Sequence, residues 1–564
     1  MALADKKRLG DILVSSGKIT NAQLQEALKA QKALGKKLGE VLVASNVITE
    51  DEIVECITKQ TGIKSINLNT IAFDKKVINF VSEKLCNKYV LIPFGVEGNR
   101  IKVALSDPLN IFAIDDVSIS SGFDVETYVS NKEDIQKFIK VFYSSKEVSR
   151  AAEQLAIESR ESTIKEEEVI DDVTDINSAP VVKMVDFLFK NAVDMRASDI
   201  HIEPFEHYIR IRYRIDGELQ NVNNLGISSL SPLVTRIKIL ASLNIAEKRI
   251  PQDGRIITRV GNNDVDLRVS ILPVVNGEKV VIRILNRSNY SVGRERLAMG
   301  DENFKKLDRI ISSPHGIVLV TGPTGSGKST TLYTVLSELN NEDVNIVTVE
   351  DPVEYALEGI NQVNVHAKAG LTFAAGLRSI LRQDPDIVMI GEIRDDETAQ
   401  IATKAAITGH LVLSTLHTND APSSILRLID MGIEPYLVST SITGVVAQRL
   451  VRKICPHCKE AYRANDSEKK ILIGRTDREV TLYKGKGCGY CNNSGYSGRV
   501  GVYEVMEINR EIRDLISAGE NSNKLKDVAM ANGMSTIAME GKRLVLQGIT
   551  TMQQLATITM VRGS

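Results

Sequence analysis

The spacing of apolar residues changes several times along the chain, and each change marks a new predicted element. Near the amino terminus one pattern occurs twice, as RLGDILVSSGKITNAQLQEALKAQ from Arg8 and as KLGEVLVASNVITEDEIVECITKQ from Lys37. In each copy Thr20 or Thr49 precedes apolar positions that are three and four residues apart, which predicts a capped helix. We therefore predict that residues 1–62 form a duplicated helical module.

Shorter apolar runs rich in β-branched residues predict three further regions. Residues 63–145 alternate such runs with helical stretches, which indicates a small α/β module. Residues 146–178 contain the acidic sequence ESRESTIKEEEVIDDVTD, which favours a flexible linker. Residues 179–295 begin with an amphipathic helix and continue with alternating apolar and polar positions. This alternation puts three arginines on one face of a strand: Arg210, Arg212 and Arg214.

The clearest chemical signal lies in the remaining segment, 296–564. The sequence GIVLVTGPTGSGKSTTLYTVL is an apolar strand that runs into a glycine-rich loop and then into a helical pattern. This order predicts a phosphate-binding loop, in which backbone N–H groups surround the β-phosphate of ATP. Lys328 would neutralise β and γ oxygens, and Ser329 would ligate Mg²⁺. The predicted nucleotide contacts are Gly322, Pro323, Thr324, Gly325, Ser326, Gly327, Lys328, Ser329 and Thr330.

Two later apolar strands each end in acidic residues, at the position where a nucleotide-binding sheet presents groups to the phosphates. NIVTVEDPVEY supplies Glu350, Asp351 and Glu354, and DIVMIGEIRDDETA supplies Glu392. A carboxylate there can orient or deprotonate the attacking water, or hold Mg²⁺ through water. We predict Glu392 as the base, with Glu350 and Asp351 as the competing carboxylates. The sequence leaves open which of them acts, and a pair of surface acids is the alternative for each strand.

A third strand, in GHLVLSTLHTND, is flanked by His410 and His417. Histidines beside a strand of a nucleotide domain are either phosphate sensors or packing residues, and the sequence leaves both interpretations open.

Four of the six cysteines occur as two C-x-x-C pairs, which predict a metal site. Cys455 and Cys458 form one pair, and Cys488 and Cys491 form the other. Four thiolates leave no open coordination position, so we predict structural zinc within a module at 452–500. A redox-active pair is the main alternative.

Composition and charge narrow the choice of partner. The 564 residues predict about four domains. With 70 Lys and Arg against 72 Asp and Glu, the net charge is -2, so no global basic excess points to nucleic acid. No apolar run reaches the ~18 residues that would cross a bilayer, and the start, MALADKKRLG, lacks the apolar core of a signal peptide. These features predict a soluble cytoplasmic protein.

Taken in order, GPTGSGKST, VTVEDPVEY, IVMIGEIRDDETA and GHLVLSTLHTND resemble the four boxes of the secretion ATPase superfamily, in the branch of pilus extension and type II secretion motors. The likeness covers nearly the whole chain. ASDIHIEP and IRYRIDG are similar to the second N-terminal domain of that family, and the two C-x-x-C pairs are similar to its zinc module. The family's Asp box then falls on Glu350, Asp351 and Glu354, its Walker B strand on 386–392, and its His box on His410 and His417.

This resemblance implies an α/β multidomain fold with four parts. They are a RecA-like phosphate-loop ATPase domain, a PAS-like second N-terminal domain, a helical N-terminal repeat module and a zinc-binding insert. It also implies a homohexamer that uses ATP and Mg²⁺, in which Arg255, Arg268 and Arg283 reach the γ-phosphate. The doubled N-terminal pattern resembles a cyclic di-GMP module, with Arg8 as a ligand contact.

The implied function is extension of a type IV pilus through an inner-membrane platform protein and associated cytoplasmic pilus-machinery proteins. Contact with the membrane would be only through these partners. Type II protein secretion is the nearest alternative. A nucleic-acid translocase, or a second-messenger receptor with incidental ATPase activity, are alternatives from other classes.

Overall fold

The computed structural model describes residues 9–34, 38–45, 47–68, 71, 73, 77–108, 110–139, 143, 179–286 and 293–559. Contacts divide the chain into two units. The first holds 1–262, 267–284 and 487–493, and the second holds 263–266, 285–486 and 494–564. The five-part division predicted from the sequence is finer than these two units and stays a prediction. The predicted linker, 146–178, lies outside the described residues.

The amino-terminal repeat folds as two helical hairpins. Its helices are α1 (Leu9–Ser15), α2 (Asn21–Leu34), α3 (Leu38–Ala44) and α4 (Glu50–Thr61). Thr49 caps α4 in a reciprocal arrangement with Glu52, and Gly62 ends the helix in the left-handed conformation. In the first copy the Thr20 hydroxyl accepts the N–H of Gln23. The repeat therefore forms the capped helices that its apolar spacing predicts.

The next part of the first unit is a three-stranded sheet with helices. Its elements are α5 (Glu83–Tyr89), β1 (Leu91–Glu97), β2 (Arg100–Leu105), α6 (Ile111–Ser121) and β3 (Asp124–Val129). Strands β1 and β2 are antiparallel, and β2 and β3 are parallel. The parallel pair requires a crossover, which α6 supplies. This is the small α/β module predicted from the sequence.

A six-stranded sheet forms most of the remainder of the first unit. Its elements are α7 (Ala179–Asp194), β4 (Asp199–Pro204), β5 (Tyr208–Ile215), β6 (Glu218–Gly226), α8 (Leu230–Leu240), β7 (Gln252–Val260), β8 (Asn263–Val274) and β9 (Gly277–Asn286). The strand order is β6-β5-β4-β9-β8-β7. Arg210 and Arg212 share one face of β5, as predicted, and both contact the buried carboxylate of Glu203. Burial raises the pKa of Glu203, but the neighbouring cations lower it to about 2.

The second unit is built around a larger sheet. Its strands are β10 (Gly316–Thr321), β11 (Ile346–Glu350), β12 (Asn361–Asn364), β13 (Ile387–Ile390), β14 (Leu411–Leu416), β15 (Ile442–Ile454), β16 (Lys459–Arg463), β17 (Thr481–Gly485) and β18 (Tyr496–Glu507). Seven of them form one sheet in the order β12-β11-β13-β14-β10-β15-β18, and β16 and β17 form a separate antiparallel pair. Only β18 runs against its neighbour in the large sheet, so the carboxyl ends of the other strands meet at one edge.

Helices cover both faces of this sheet. They are α9 (Asp301–Ile311), α10 (Lys328–Leu339), α11 (Phe373–Ile380), α12 (Asp396–Ile407), α13 (Ala421–Asp430), α14 (Pro435–Ser441), α15 (Asp466–Ile473), α16 (Arg510–Ser517), α17 (Ser522–Ala531), α18 (Ile537–Leu546) and α19 (Met552–Thr559). Every residue of β10 and of β14 is buried, as is typical of parallel strands covered on both faces. Within the described residues, none of the helices has the length and apolar character that crossing a bilayer requires.

Candidate functional site

The phosphate loop connects β10 to α10, where the predicted motif places it. Gly322, Gly325 and Gly327 have φ values of 149°, 78° and 89°, a region that side chains disfavour. A Cβ on Gly322 would lie 2.4 Å from the carbonyl oxygen of Gln448, so the loop has no room for a larger residue there. The glycines therefore let the loop close against β15, with α10 beginning at Lys328.

Lys328 turns back toward the loop that precedes it. Its Nζ donates to the carbonyl oxygens of Gly322, at 2.8 Å, and Pro323, at 3.2 Å. Burial lowers the pKa of Lys328, Glu392 raises it, and Arg449 lowers it further. A bound polyphosphate would favour the charged amine and supply the oxygens that these carbonyls now provide.

The start of α10 fits a phosphate and Mg²⁺. Ser329 and Thr330 are exposed, and the hydroxyl of Ser326 is buried without a hydrogen-bond partner. A buried hydroxyl without a hydrogen bond has lost its contacts with water and gained nothing in return. A phosphate oxygen that accepts its proton would restore the lost hydrogen bond. The helix N-terminus adds partial positive charge at the same place.

Glu350 ends β11 and is buried, and both of its carboxylate oxygens are already bonded. Tyr333 of α10 donates to one oxygen, and Thr348 and Gln362 donate to the other at 2.6 and 3.1 Å. All three donors are neutral. The backbone N–H of Glu354 also lies 3.3 Å from the hydroxyl of Tyr333. This network ties the loop after β11 to the helix that begins at the phosphate loop, and it favours a positioning role for Glu350.

Glu392 follows β13 and is held by two basic side chains. Arg394 pairs with Oε1, and Nε2 of His417 lies 3.3 Å from Oε2. Burial raises the pKa of Glu392, but Arg394 and His417 outweigh it and hold the pKa below the ordinary value of 4.5. Asp351 acts electrostatically on Arg394 from the neighbouring loop. The carboxylate is therefore ionised and close to the charge of Lys328.

The two predicted histidines lie at opposite ends of β14. His417 follows the carboxyl end, beside Glu392. His410 precedes the amino end and bonds through Nδ1 to the carbonyl of Ala405, at 2.9 Å. A six-residue strand separates them, which is about 20 Å at ~3.3 Å per residue. Within this unit the structure brings His417 to the site and leaves His410 at the other edge of the sheet.

Two residues of β15 that the sequence analysis did not identify also border the phosphate loop. The Gln448 side chain accepts a hydrogen bond from Thr331, at 2.7 Å. Arg449 donates to the carbonyl of Asn419, at 2.9 Å, beside His417. The available signal was the Gln-Arg pair that interrupts the apolar run in ITGVVAQRLVRKI, more than 100 residues after the loop.

The predicted arginines belong to the first unit. Arg255 lies on β7, Arg268 on β8 and Arg283 on β9, where the Arg283 guanidinium pairs with Asp199 at 3.2 Å. Their approach to the γ-phosphate stays a prediction. Arg8, the predicted cyclic di-GMP contact, lies outside the described residues.

The four paired cysteines converge as predicted. The sulfur atoms of Cys455, Cys458, Cys488 and Cys491 all lie within 4.8 Å of one another. The backbone N–H of Cys488 points at the sulfur of Cys491, 3.2 Å away, as expected for a thiolate ligand. The Cys488 and Cys491 sulfurs are 3.6 Å apart, too far for a disulfide. The donor set fits tetrahedral Zn²⁺ with no position open to a substrate.

Comparison with known families decides the class of this phosphate-loop protein. The family model described as type II/IV secretion system protein matches residues 174–557. The chain belongs to this family. A second model, described as the MshEN domain, matches residues 61–149 of the secretion-system protein. That match covers the small α/β module and not the repeat that contains Arg8.

Curated relatives align with this secretion-system protein over long stretches. It is 43% identical over 556 residues to the type IV pilus assembly ATPase PilB of Myxococcus xanthus, covering 97% of this chain and 98% of the relative. It is 40% identical to the PilB of Thermus thermophilus, covering 99% of this chain and 66% of that protein. It is 50% identical to the type II secretion system protein E of Pseudomonas aeruginosa, covering 68% and 76%. The family and the α/β multidomain class predicted from the sequence are confirmed.

The secretion-system protein also contains a buried acid that joins two helices. Glu504 of β18 accepts the first backbone N–H of α13, at Ala421, and that of α18, at Ile537, at 2.8 and 3.2 Å. We expect Glu504→Gln to destabilise the protein by about 1–3 kcal/mol, because the amide NH₂ would face one of these donors. Denaturant unfolding measures the effect.

Glu507→Gln is the matched control, since Glu507 pairs with Arg309 at the surface and should cost under about 1 kcal/mol. An equal loss of stability in the two variants would contradict the role of Glu504 as the acceptor at the start of both helices. Burial raises the pKa of Glu504 above its ordinary 4.5. The folded state therefore holds this proton more tightly, and this contribution to stability is lost as the pH rises from about 4.5 through the folded-state pKa.

The cysteine cluster makes a second prediction. We expect purified protein to contain one zinc ion per chain and Cys488→Ser to lose it with a lower melting temperature, because three thiolates bind zinc less tightly. Metal analysis and thermal unfolding measure both effects. Cys56→Ser, which changes a buried cysteine outside the cluster, should keep the zinc. Metal-free protein with a disulfide at either C-x-x-C pair would instead support the redox alternative.

Proposed function

We propose that this secretion-system protein is an ATP-hydrolysing motor that powers type IV pilus assembly. The observation that carries the proposal is the meeting of Lys328, Glu392 and His417 at one edge of the parallel sheet. Relatives named for type IV pilus assembly align with almost the whole chain, whereas the P. aeruginosa type II secretion relative covers 68% of it. The type II secretion system protein E of Xanthomonas campestris aligns with 85% of the chain, still less than either PilB, so the extent of alignment favours pilus assembly. Type II secretion remains the second candidate because of the 50% identity of the P. aeruginosa relative.

Each residue of the site has a distinct task. Lys328 and the backbone N–H groups at the start of α10 bind β and γ oxygens of ATP. Glu392 accepts a proton from the attacking water, whose oxygen bonds to the γ-phosphorus as the bond to the β–γ bridging oxygen breaks. Arg394 and His417 hold Glu392 in place and keep it ionised. Ser329 would hold Mg²⁺, which neutralises charge on the phosphates when bound.

The motor acts as part of a larger assembly in this proposal. Six copies form a ring, and Arg255, Arg268 and Arg283 stabilise charge on the leaving phosphoryl group when the domains close. The ring works at the cytoplasmic face of the inner membrane and drives a platform protein, with associated pilus-machinery proteins. No nucleic acid is involved. ATPase stimulation by single-stranded DNA with a steep salt dependence would support the translocase alternative instead.

A deletion strain tests whether the motor drives pilus assembly or protein secretion. We expect the strain to lose surface pili and to keep its secreted proteins, and wild-type protein supplied from a plasmid to restore the pili. A Glu392→Gln protein produced at the same level should not restore them. Loss of protein secretion with normal pili would identify the type II secretion function.

Regulation by cyclic di-GMP is the remaining part of the proposal. The amino-terminal repeat resembles a module for this ligand, and the MshEN match lies next to it. Titration of cyclic di-GMP against the full chain and against Arg8→Ala should show binding that the variant weakens. Absence of binding at micromolar ligand would remove the regulatory proposal and leave the motor proposal unchanged.

A further inference from the structure

Arg449 carries a buried charge, and no carboxylate of the described residues is in contact with it. Its side chain lies on β15 and the residue is 8% exposed. Nη1 donates to the carbonyl oxygen of Gln448, at 3.1 Å, and Nη2 donates to the carbonyl and side-chain oxygens of Asn419, at 2.9 and 3.2 Å. These acceptors are neutral, and they use three of the five N–H groups of the guanidinium.

Acidic residues lie near Arg449 but not in contact with it. Among the residues that the structure describes, no carboxylate oxygen lies within 4.0 Å of the guanidinium nitrogens. Burial lowers the pKa of Arg449, and Glu504 and Asp420 offset this only in part and from a distance. A buried, hydrogen-bonded cation without a counter-ion is costly, so the position favours an anionic ligand.

The phosphate loop lies directly against this guanidinium. A Cβ on Gly322 would lie 3.1 Å from Nη1 of Arg449. The carbonyl of the same glycine receives the Nζ of Lys328, and the charge of Arg449 lowers the pKa of Lys328. Lys328, at the start of α10, and Arg449, on β15, therefore both approach the first residue of the loop, and their charges repel each other. An anion bound between them would turn this repulsion into attraction.

We infer that Arg449 is a second cationic residue of the nucleotide site, which binds terminal phosphate oxygens together with Lys328 and links them to the His417 loop through Asn419. The inference rests on the proposed ATPase function. Oxygens of the described residues accept three of the five N–H groups of Arg449, which leaves two as candidate donors to the ligand. The planar fork suits phosphate oxygens, which accounts for an arginine at this buried position of β15.

A purely structural role is the alternative. In that case Arg449 only joins β15 to residues 417–420, and its loss would lower the stability of the nucleotide-free protein without changing nucleotide affinity. The two roles differ in what nucleotide does to each variant. The increase in melting temperature on adding nucleotide is measured within one variant, so a lower starting stability does not affect the comparison.

The experiment compares full-length wild type, Arg449→Gln, Arg449→Lys and the control Arg452→Gln. Arg452 lies three residues further along β15, with its guanidinium 4.0 Å from the ring of Tyr496. Binding of ATP, ADP and AMP is measured by equilibrium titration and by the shift in melting temperature. We expect Arg449→Gln to weaken ATP binding about tenfold, ADP binding less and AMP binding least, because one charge-assisted contact to the terminal phosphate is lost. Arg452→Gln should bind all three like wild type.

The outcomes separate the inference from the proposed function. Wild-type affinity for ATP in Arg449→Gln, or an equal loss for ATP and AMP, would overturn the inference while leaving the ATPase intact. If Arg449→Gln does not fold, Arg449→Lys decides, since a lysine keeps the charge but cannot contact Asn419 and a phosphate through one fork. The inference would also be overturned if Arg449→Lys preferred ATP over AMP by the same factor as wild type. A wild-type protein that binds no ATP would remove the proposed function and the inference together.

Discussion

Replacing Glu392 with glutamine should leave ATP bound but uncleaved, with the rate of hydrolysis about 10²–10⁴-fold lower. Glutamine keeps the size of the side chain and its place beside Arg394 and His417, so the site should still close around the nucleotide. The amide cannot accept a proton from the attacking water. We therefore expect the turnover number to fall while the affinity for ATP, measured by titration, changes little.

The control is Glu397→Gln, which removes a carboxylate from the same segment. Glu397 lies in the first turn of α12, is exposed and pairs with Arg378, so its variant should hydrolyse ATP normally. Hydrolysis at the native rate by Glu392→Gln would show that the base is another group. Glu350→Gln then becomes the informative variant, because the residues that the structure describes give that carboxylate three neutral donors and no cationic partner.

The pH dependence of the rate provides an independent check on Glu392. Its pKa lies below 4.5 because Arg394 and His417 outweigh the effect of burial. The base should therefore stay ionised, and contribute no loss of rate, as the pH falls from 7 to about 5. Arg394→Gln removes the largest stabilising partner and leaves the effect of burial, so the pKa of Glu392 should rise. The acid limb of the rate profile should then move to higher pH.

Much of the site could be predicted because many of its functional residues lie close together in the sequence. The phosphate loop needs glycines at positive φ and a lysine at the start of a helix, and both requirements fall within nine consecutive residues. The two C-x-x-C pairs are also short motifs, so each pair could be recognised by itself. Only the approach of one pair to the other depends on the fold. The helical repeat was also predictable, since Thr49 and Glu52 form their capping box within one turn.

Contacts between distant strands could not be read from the chain. Arg449 borders the phosphate loop because β15 lies beside β10 in the sheet, an order that the sequence does not display. His410 and His417 look equivalent in sequence, yet a fully buried strand carries them to opposite edges. The choice between Glu350 and Glu392 stayed open for the same reason, because it depends on which side chains surround each acid. Tyr333, which donates to Glu350, comes from the helix after the loop and carries no motif of its own.

Replacing Lys328 with alanine should abolish hydrolysis and weaken ATP binding, in contrast to the Glu392 variant. The amine is the cation that the motif places on the β and γ oxygens, and the structure holds it ready at the carbonyls of Gly322 and Pro323. Its loss removes charge stabilisation from both the bound nucleotide and the transition state, so we expect the rate to fall about 100-fold or more. Titration with ATP and a phosphate-release assay measure the two effects.

Lys305→Ala is the matched control, because Lys305 is exposed on α9 and pairs only at the surface with Glu302. Its variant should bind and hydrolyse ATP like wild type. Lys328 differs from it by lying at the start of α10, where Arg449 and the helix N-terminus add further positive charge. Removing Lys328 should therefore leave some affinity for phosphate, so that ATP binding weakens without vanishing while hydrolysis disappears. If Lys328→Ala kept the native rate, the site at the edge of this sheet would not be where ATP is hydrolysed.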